Sequence, residues 1–232
     1  MKVVCYLTGG RDEATFLAAA RRASDDVEPY PVRTGEDLVD LADMFGAGQV
    51  DQLVVCAHGG PTWLLSSRVG VTTGRAKRAG QVTVRELADA WAPKFTEGAL
   101  ISLAACLCSR SPRWWMISQL GRVLSGWGER GYDVGGQASF SARLRDQMWY
   151  HDLFVRVRGH RTAGHTTYNA ILAEHRGWAG RPCVPLFRRA IPGTRPTRAV
   201  RRKWTRIVTG ELAERWLFGD DSVVENIRSR WG

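Results

Sequence analysis

Two short apolar runs, joined by a stretch that carries a helix, constrain this chain more than any other feature. Residues 51–60 read DQLVVCAHGG and residues 99–110 read ALISLAACLCSR. Residues 52–57 and 99–105 are too short for helices of ordinary length and rich in aliphatic residues. They read as strands covered on both faces rather than as alternating surface strands. Between them lies a looser stretch, 60–80, with Gly, Ser, Thr and four basic residues, which predicts a surface loop or a short hairpin. Thr83 and Glu86 then form a T-x-x-E capping box, and Val84, Leu87, Ala88 and Trp91 share one helix face. Strand, loop, helix, strand is the crossover unit that joins two parallel neighbours, and such crossovers are almost always right-handed.

The same rhythm runs through the first half of the chain. Residues 2–7, KVVCYL, predict a buried strand closed by Gly9-Gly10, and residues 12–23 an Ala-rich helix. An extended piece follows over 27–33. Thr34 caps a helix that runs through Phe45, with Leu38, Leu41 and Phe45 at helical spacing. Ser111-Pro112 is a helix start, continued by Ile117, Leu120, Leu124 and Trp127. A further strand is expected near Tyr132–Phe140. This alternation predicts an α/β fold: a three-layer sandwich with a mainly parallel central sheet. Beyond residue 145 the rhythm fades. Residues 147–157 suit strand or helix, 167–175 read as a helix, and 181–206 as irregular. Two amphipathic helices, about 210–218 and 221–231, are expected to pack back through Trp216, Ile227 and Trp231. The expected division is an α/β domain over 1–180 and a basic, Trp-containing extension over 181–232, mostly irregular or helical.

Composition narrows the setting. The chain has 232 residues, 44% hydrophobic and 24% charged, enough for a core without covalent staples. No uninterrupted apolar stretch approaches the roughly 18 residues of a membrane span. The start, MKVVCYLTGGRDE, reads as a first strand and not as a signal peptide. Five cysteines, an odd number without zinc-type spacing, predict reduced thiols and a cytoplasmic protein. No metal is expected at His151, His160, His165, His175 and Cys183, and no cofactor. The net charge is +10. Residues 176–210 hold ten Arg or Lys and no acid, which predicts either a solvated segment or one that attracts nucleic acid or another polyanion.

If strands 52–57 and 99–105 are neighbours, both chains leave the sheet at its carboxyl edge, where open α/β sheets place ligands. His58 and Cys106 would then face one crevice. Gly59 and Gly60 allow the backbone to bend and leave N–H groups open to a substrate oxygen, and Ala104 and Ala105 leave room around the thiol. A thiolate is the attacking form of Cys, and a neighbouring imidazole supports it and protonates the leaving group. Cys108, two residues on, is the alternative nucleophile; Cys5 and Cys56 read as buried small hydrophobes.

With VVCAHGG followed by ISLAAC, the chain resembles the caspase-like (clan CD) cysteine peptidases, and within them the bacterial CHAT-type branch, over residues 2–110 and more loosely over 111–140. In that clan one sheet strand ends in His-Gly and the next in a small residue followed by Cys, with the His about 50 residues upstream. The resemblance implies a thiol protease. It makes Cys106 the nucleophile, His58 the general acid/base, and the N–H groups of Gly59 and Cys106 the oxyanion hole, with a polypeptide as substrate. The chain departs from the family two positions before the nucleophile: Ala104 stands where caspases carry Gln and metacaspases Asp. Substrate preference is therefore not legible there. Arg11, just past the first strand, is a candidate for a pocket that takes an acidic side chain, or simply a surface residue at a helix start.

Two other classes compete. HGGP, 58–61, is similar to the oxyanion loop of α/β-hydrolases, and AACLC has the form of a nucleophile elbow with Cys in place of Ser. That reading needs a late acid and base, such as Asp146 with His160, His165 or His175. The third reading is a catalytically inactive binding module whose basic extension takes nucleic acid, with Trp149, Trp178 and Trp204 available for stacking.

Overall fold

The computed structural model describes residues 1–24, 27–66, 68–74, 78–106, 108–109, 139–160, 172–175, 184–185 and 211–223. The Val- and Leu-rich runs form the sheet as the pattern requires: β1 (Lys2–Leu7), β3 (Val50–Cys56) and β8 (Phe95–Ala104). With β2 (Tyr30–Val32), β9 (Arg156–His160), β10 (Leu172–His175) and β11 (Val184–Pro185) they make a mixed seven-stranded sheet in the order β11-β10-β9-β8-β3-β1-β2. The five strands from β9 to β2 are mutually parallel, and β10 and β11 add antiparallel pairs at one end.

Helices cover both faces. On one lie α1 (Glu13–Ala23) and α5 (Glu211–Leu217), joined by the Arg22–Glu214 ion pair at 2.8 Å. Gln52 of β3 donates to the Phe218 carbonyl at 2.8 Å, which seats the end of α5 on the sheet. On the other face lie α2 (Gly35–Asp40), α3 (Val84–Trp91) and α4 (Phe140–Trp149). The Trp91 indole is fully buried there and donates to the Leu38 carbonyl at 2.8 Å, tying α3 to α2. This is the α/β sandwich that the alternation predicts. The expected Thr83–Glu86 capping box forms at the start of α3, and Thr34, expected as a cap, makes a second box with Asp37; the helix it starts ends at Asp40 and gives way to a 3-10 turn over Leu41–Met44, short of the expected Phe45. The 60–80 stretch adopts hairpin-like structure, a small second sheet of β4 (Gly59–Gly60), β5 (Trp63–Leu64), β6 (Val71–Thr72) and β7 (Val82–Thr83).

The second half differs from the sequence reading in two places. The expected strand near Tyr132–Phe140 has only Ser139 and Phe140 among the described residues, and these cap and begin α4. The expected helix over 167–175 is instead strand β10 in its described part, 172–175, paired antiparallel to β9 with Leu172 opposite His160. Tertiary pairing overrides local pattern here: the ladder supplies the backbone hydrogen bonds that a helix would have made internally. The stretch 147–157 divides between the end of α4 and the start of β9. Beyond the expected division near 180, β11 pairs with β10, and Trp216 and Leu217 join the buried core. Most of the basic segment 176–210, the helix expected from Ser111-Pro112, and Ile227 and Trp231 lie outside the described residues. Among those described, no helix is long and apolar enough to cross a membrane.

Candidate active site

The order β2-β1-β3 sets the position of the site. The chain leaves β1 toward β2 on one side, while β3 lies on the other, so the topology reverses between β1 and β3. A crevice opens outside the carboxyl ends of strands at such a reversal. A cleft of about 550 Å³ lies there. Thr8, Gly9 and Gly10 after β1, Arg33 and Thr34 after β2, and His58 after β3 line it. Trp63, Leu65 and Ser66 of the small sheet form its far wall. Arg11 is exposed and is not among the lining residues; the arginine that faces the cleft is Arg33.

β3 and β8 are adjacent and parallel, with Cys56 opposite Ala104 as the last paired rung. The Ala57 N–H donates to the Ala104 carbonyl at 3.2 Å and carries the pairing one step further. His58 and Cys106 each stand two residues in sequence past that rung, and Gly59 is the residue that meets the Ala105–Cys106 turn. Contact between the two strand ends is close. A Cβ on Gly59 would stand 2.7 Å from the Ala105 Cβ and 2.9 Å from the Cys106 carbonyl oxygen, so only glycine allows this approach. The Leu65 N–H donates to the His58 carbonyl at 3.0 Å, which makes Gly59↔Leu64 the non-hydrogen-bonded pair of the β4–β5 ladder. The Gly59 N–H therefore points away from β5.

His58 is half-exposed. Its Nε2 lies 3.1 Å from the Asp12 Oδ2, and its ring meets the edge of Phe16 at a centroid distance of 4.8 Å. Asp12 escapes sequence reasoning because 46 residues separate it from His58. The signal available was an acidic residue between the Gly-Gly turn and the first helix.

The two candidate nucleophiles occupy different environments. Cys106 is half-buried in the turn after β8, whereas Cys108 is fully buried. The Cys108 thiol lies 3.1 Å from the Ala105 carbonyl, and burial pushes its pKa up to about 11. The turn that holds it is pinned beneath β9 and α4: the Ser109 N–H donates to the His160 carbonyl, and the Ser141 N–H to the Cys108 carbonyl, each at 2.9 Å. Burial also raises Cys56, to about 12, and Cys5 further.

Of the late residues, Asp146 pairs with its neighbour Arg145 at 2.5 Å. His160 is buried at the end of β9. His175 is buried on β10, 3.5 Å from the Ser139 hydroxyl. Trp149 packs edge-on against Phe154. His165, Trp178, Cys183 and Trp204 lie outside the described residues. Among those described, no group of three His, Cys, Asp or Glu is placed to hold a metal ion. Comparison with protein-family models, with curated proteins and with solved structures finds no match for this chain.

Proposed function

We propose that this chain is a cysteine endopeptidase of the caspase-like kind, in which Cys106 attacks a peptide carbonyl and His58 moves the proton. The observation that supports the reading is the parallel adjacency of β3 and β8: His58 and Cys106 each follow their last paired rung by two residues, and His58 lines a cleft at the topological reversal whose lining residues do not include Cys106. Cys106 Sγ forms a bond to the carbonyl carbon and passes its proton to the imidazole. The tetrahedral oxyanion forms where the Gly59 and Cys106 N–H groups serve as donors. The C–N bond breaks as the imidazolium returns its proton to the departing amine, leaving a thioester. Water then adds to the thioester carbon as its proton passes to His58, the C–S bond breaks, the Cys106 sulfur recovers that proton, and the acid product leaves. The half-buried state of Cys106, against the sealed Cys108 with its raised pKa, supports Cys106 as the nucleophile.

A thiol-directed acyl probe tests the proposal on wild type, Cys106→Ala, Cys108→Ala and His58→Ala. Loss of labelling in Cys106→Ala and His58→Ala, with labelling kept in folded Cys108→Ala, is the expected result. Labelling that disappears only in Cys108→Ala would reassign the nucleophile. Labelling unchanged in all three variants would remove the peptidase reading.

A further inference from the structure

An imidazole that exchanges a proton with a thiol must present one ring nitrogen to it and hold its other proton elsewhere. In this structure His58 Nε2 is 3.1 Å from the Asp12 carboxylate. This is a charge contact at ion-pair distance; a bare nitrogen lone pair facing a carboxylate oxygen at that range is repelled, so the form with the proton on Nε2 is favoured. Nδ1 is then the nitrogen left for chemistry.

Asp12 is placed for this and is not spent on local structure. It occupies the N-cap of α1, where an aspartate ordinarily uses its carboxylate on the backbone N–H groups of the first turn. Its side chain makes no capping hydrogen bond. Only its carbonyl serves the helix, accepting from the Thr15 and Phe16 N–H groups at 3.0 Å each. The loop that carries Asp12 is itself tied down. Gly9 adopts φ of +79° and donates its N–H to the Glu13 carboxylate at 2.7 Å. A hydrogen bond with the Thr8 side chain, and after it this bond from Gly9, hold the Glu13 pKa below the usual carboxylate value. One turn along α1, the edge contact between Phe16 and the His58 ring fixes the plane of the imidazole. α1 thus presents both a carboxylate and an aromatic edge to one side chain of β3's rim.

We propose that Asp12 is the positioning residue of His58: it fixes the Nε2–H tautomer and directs Nδ1 to the proton exchange with Cys106 and the leaving amine. This role in the reaction rests on the dyad proposed above; the tautomer itself does not. The alternative is an ordinary surface ion pair. Both side chains are 46% exposed, and exposed pairs contribute little to stability. What separates the two cases is the state of the ring, not the melting point.

The experiment uses the full chain with ¹⁵N-labelled histidine, as wild type, Asp12→Ala and Asp12→Glu, at a pH where free imidazole is neutral. His58 is assigned by loss of its signals in His58→Asn. Long-range ¹H–¹⁵N spectra report the tautomer, and the acyl probe reports the Cys106 labelling rate on the same samples. Circular dichroism confirms that each variant is folded, which the absence of a capping bond at Asp12 favours. The expected result is a dominant Nε2–H tautomer in wild type and a mixed population in Asp12→Ala. Labelling falls about 10- to 100-fold in Asp12→Ala and is partly restored, with the tautomer, in Asp12→Glu. A His58 tautomer that does not change in folded Asp12→Ala would overturn the proposal, even with Cys106 labelling intact. A tautomer that shifts as expected in a protein whose Cys106 never labels would overturn the peptidase reading, and with it Asp12's part in the reaction.

Discussion

Gly59 and Ala105 approach so closely that a methyl group on Gly59 would stand 2.7 Å from the Ala105 Cβ. This contact holds the ends of β3 and β8 together beyond their last paired rung. It also fixes where the Gly59 N–H lies relative to Cys106. Gly59→Ala must push the two strand ends apart. The expected cost is about 1–3 kcal/mol of stability, as for other overpacked sites. Loss of acyl-probe labelling should exceed what the unfolded fraction accounts for. Denaturant titration alongside labelling at constant folded fraction checks both.

The cysteines should divide sharply in native alkylation. At neutral pH, iodoacetamide is expected to modify Cys106 and to spare Cys5, Cys56 and Cys108, which are buried and whose thiols are raised by desolvation. Mass mapping before and after unfolding measures this. Cys108→Ala distinguishes its peptide signal from that of Cys106, which lies two residues away.

The same burial gives a pH dependence with a definite sign. A thiol whose folded pKa is raised keeps its proton in the native state while the unfolded state loses it. Its contribution is therefore fully present below the usual thiol value of 9.0 and is lost as pH rises toward the folded value, about 11 for Cys108 and about 12 for Cys56. Each such group steepens the fall in stability by up to about 1.4 kcal/mol per pH unit across that window. Urea titrations between pH 8 and about pH 11 should show the decline, and Cys108→Ala should flatten it.

Arg158 should dominate the seating of α5. It is buried on β9, pairs with Glu174 at 2.7 Å and with Asp221, donates to the Trp216 carbonyl, and lies 4.3 Å above the Trp216 ring. Arg158→Met removes the pairing with Glu174 at a nearly buried position together with the contacts to Asp221 and Trp216, and the expected cost is about 3–5 kcal/mol. Replacing Glu174 with Gln in the same chain should recover part of this, as a double-mutant cycle by urea unfolding would show.

Thr83→Ala provides a control remote from the reaction. It removes the side-chain half of the capping box at α3, while the backbone N–H of residue 83 can still donate to the Glu86 carboxylate, and the expected loss is about 1 kcal/mol. Labelling of Cys106, measured at equal folded fraction, should not change.

The sequence by itself determined the alternation of strands and helices through Ala104, the capping box at α3 and the Thr34 cap of α2, and the adjacency of the strands that end before His58 and Cys106. These are local matters. Burial imposes periodicity on each segment, caps need only neighbouring residues, and one right-handed crossover brings consecutive parallel strands together. The identity of β10 was not legible, because its backbone bonds are made to β9 and its own pattern is neutral between strand and helix. The small residues Ala104 and Ala105 favoured Cys106 over Cys108 in the sequence, but they do not fix which thiol is exposed. Only the fold of the following turn, with the Ser109 N–H bound to the His160 carbonyl beneath β9, seals one thiol and leaves the other half-exposed. Asp12, Arg33 and the Arg158 clamp were decided by tertiary structure for the same reason. Each acts on a partner supplied by another strand end or helix, and the free energy of such a contact is written in no single segment of the chain.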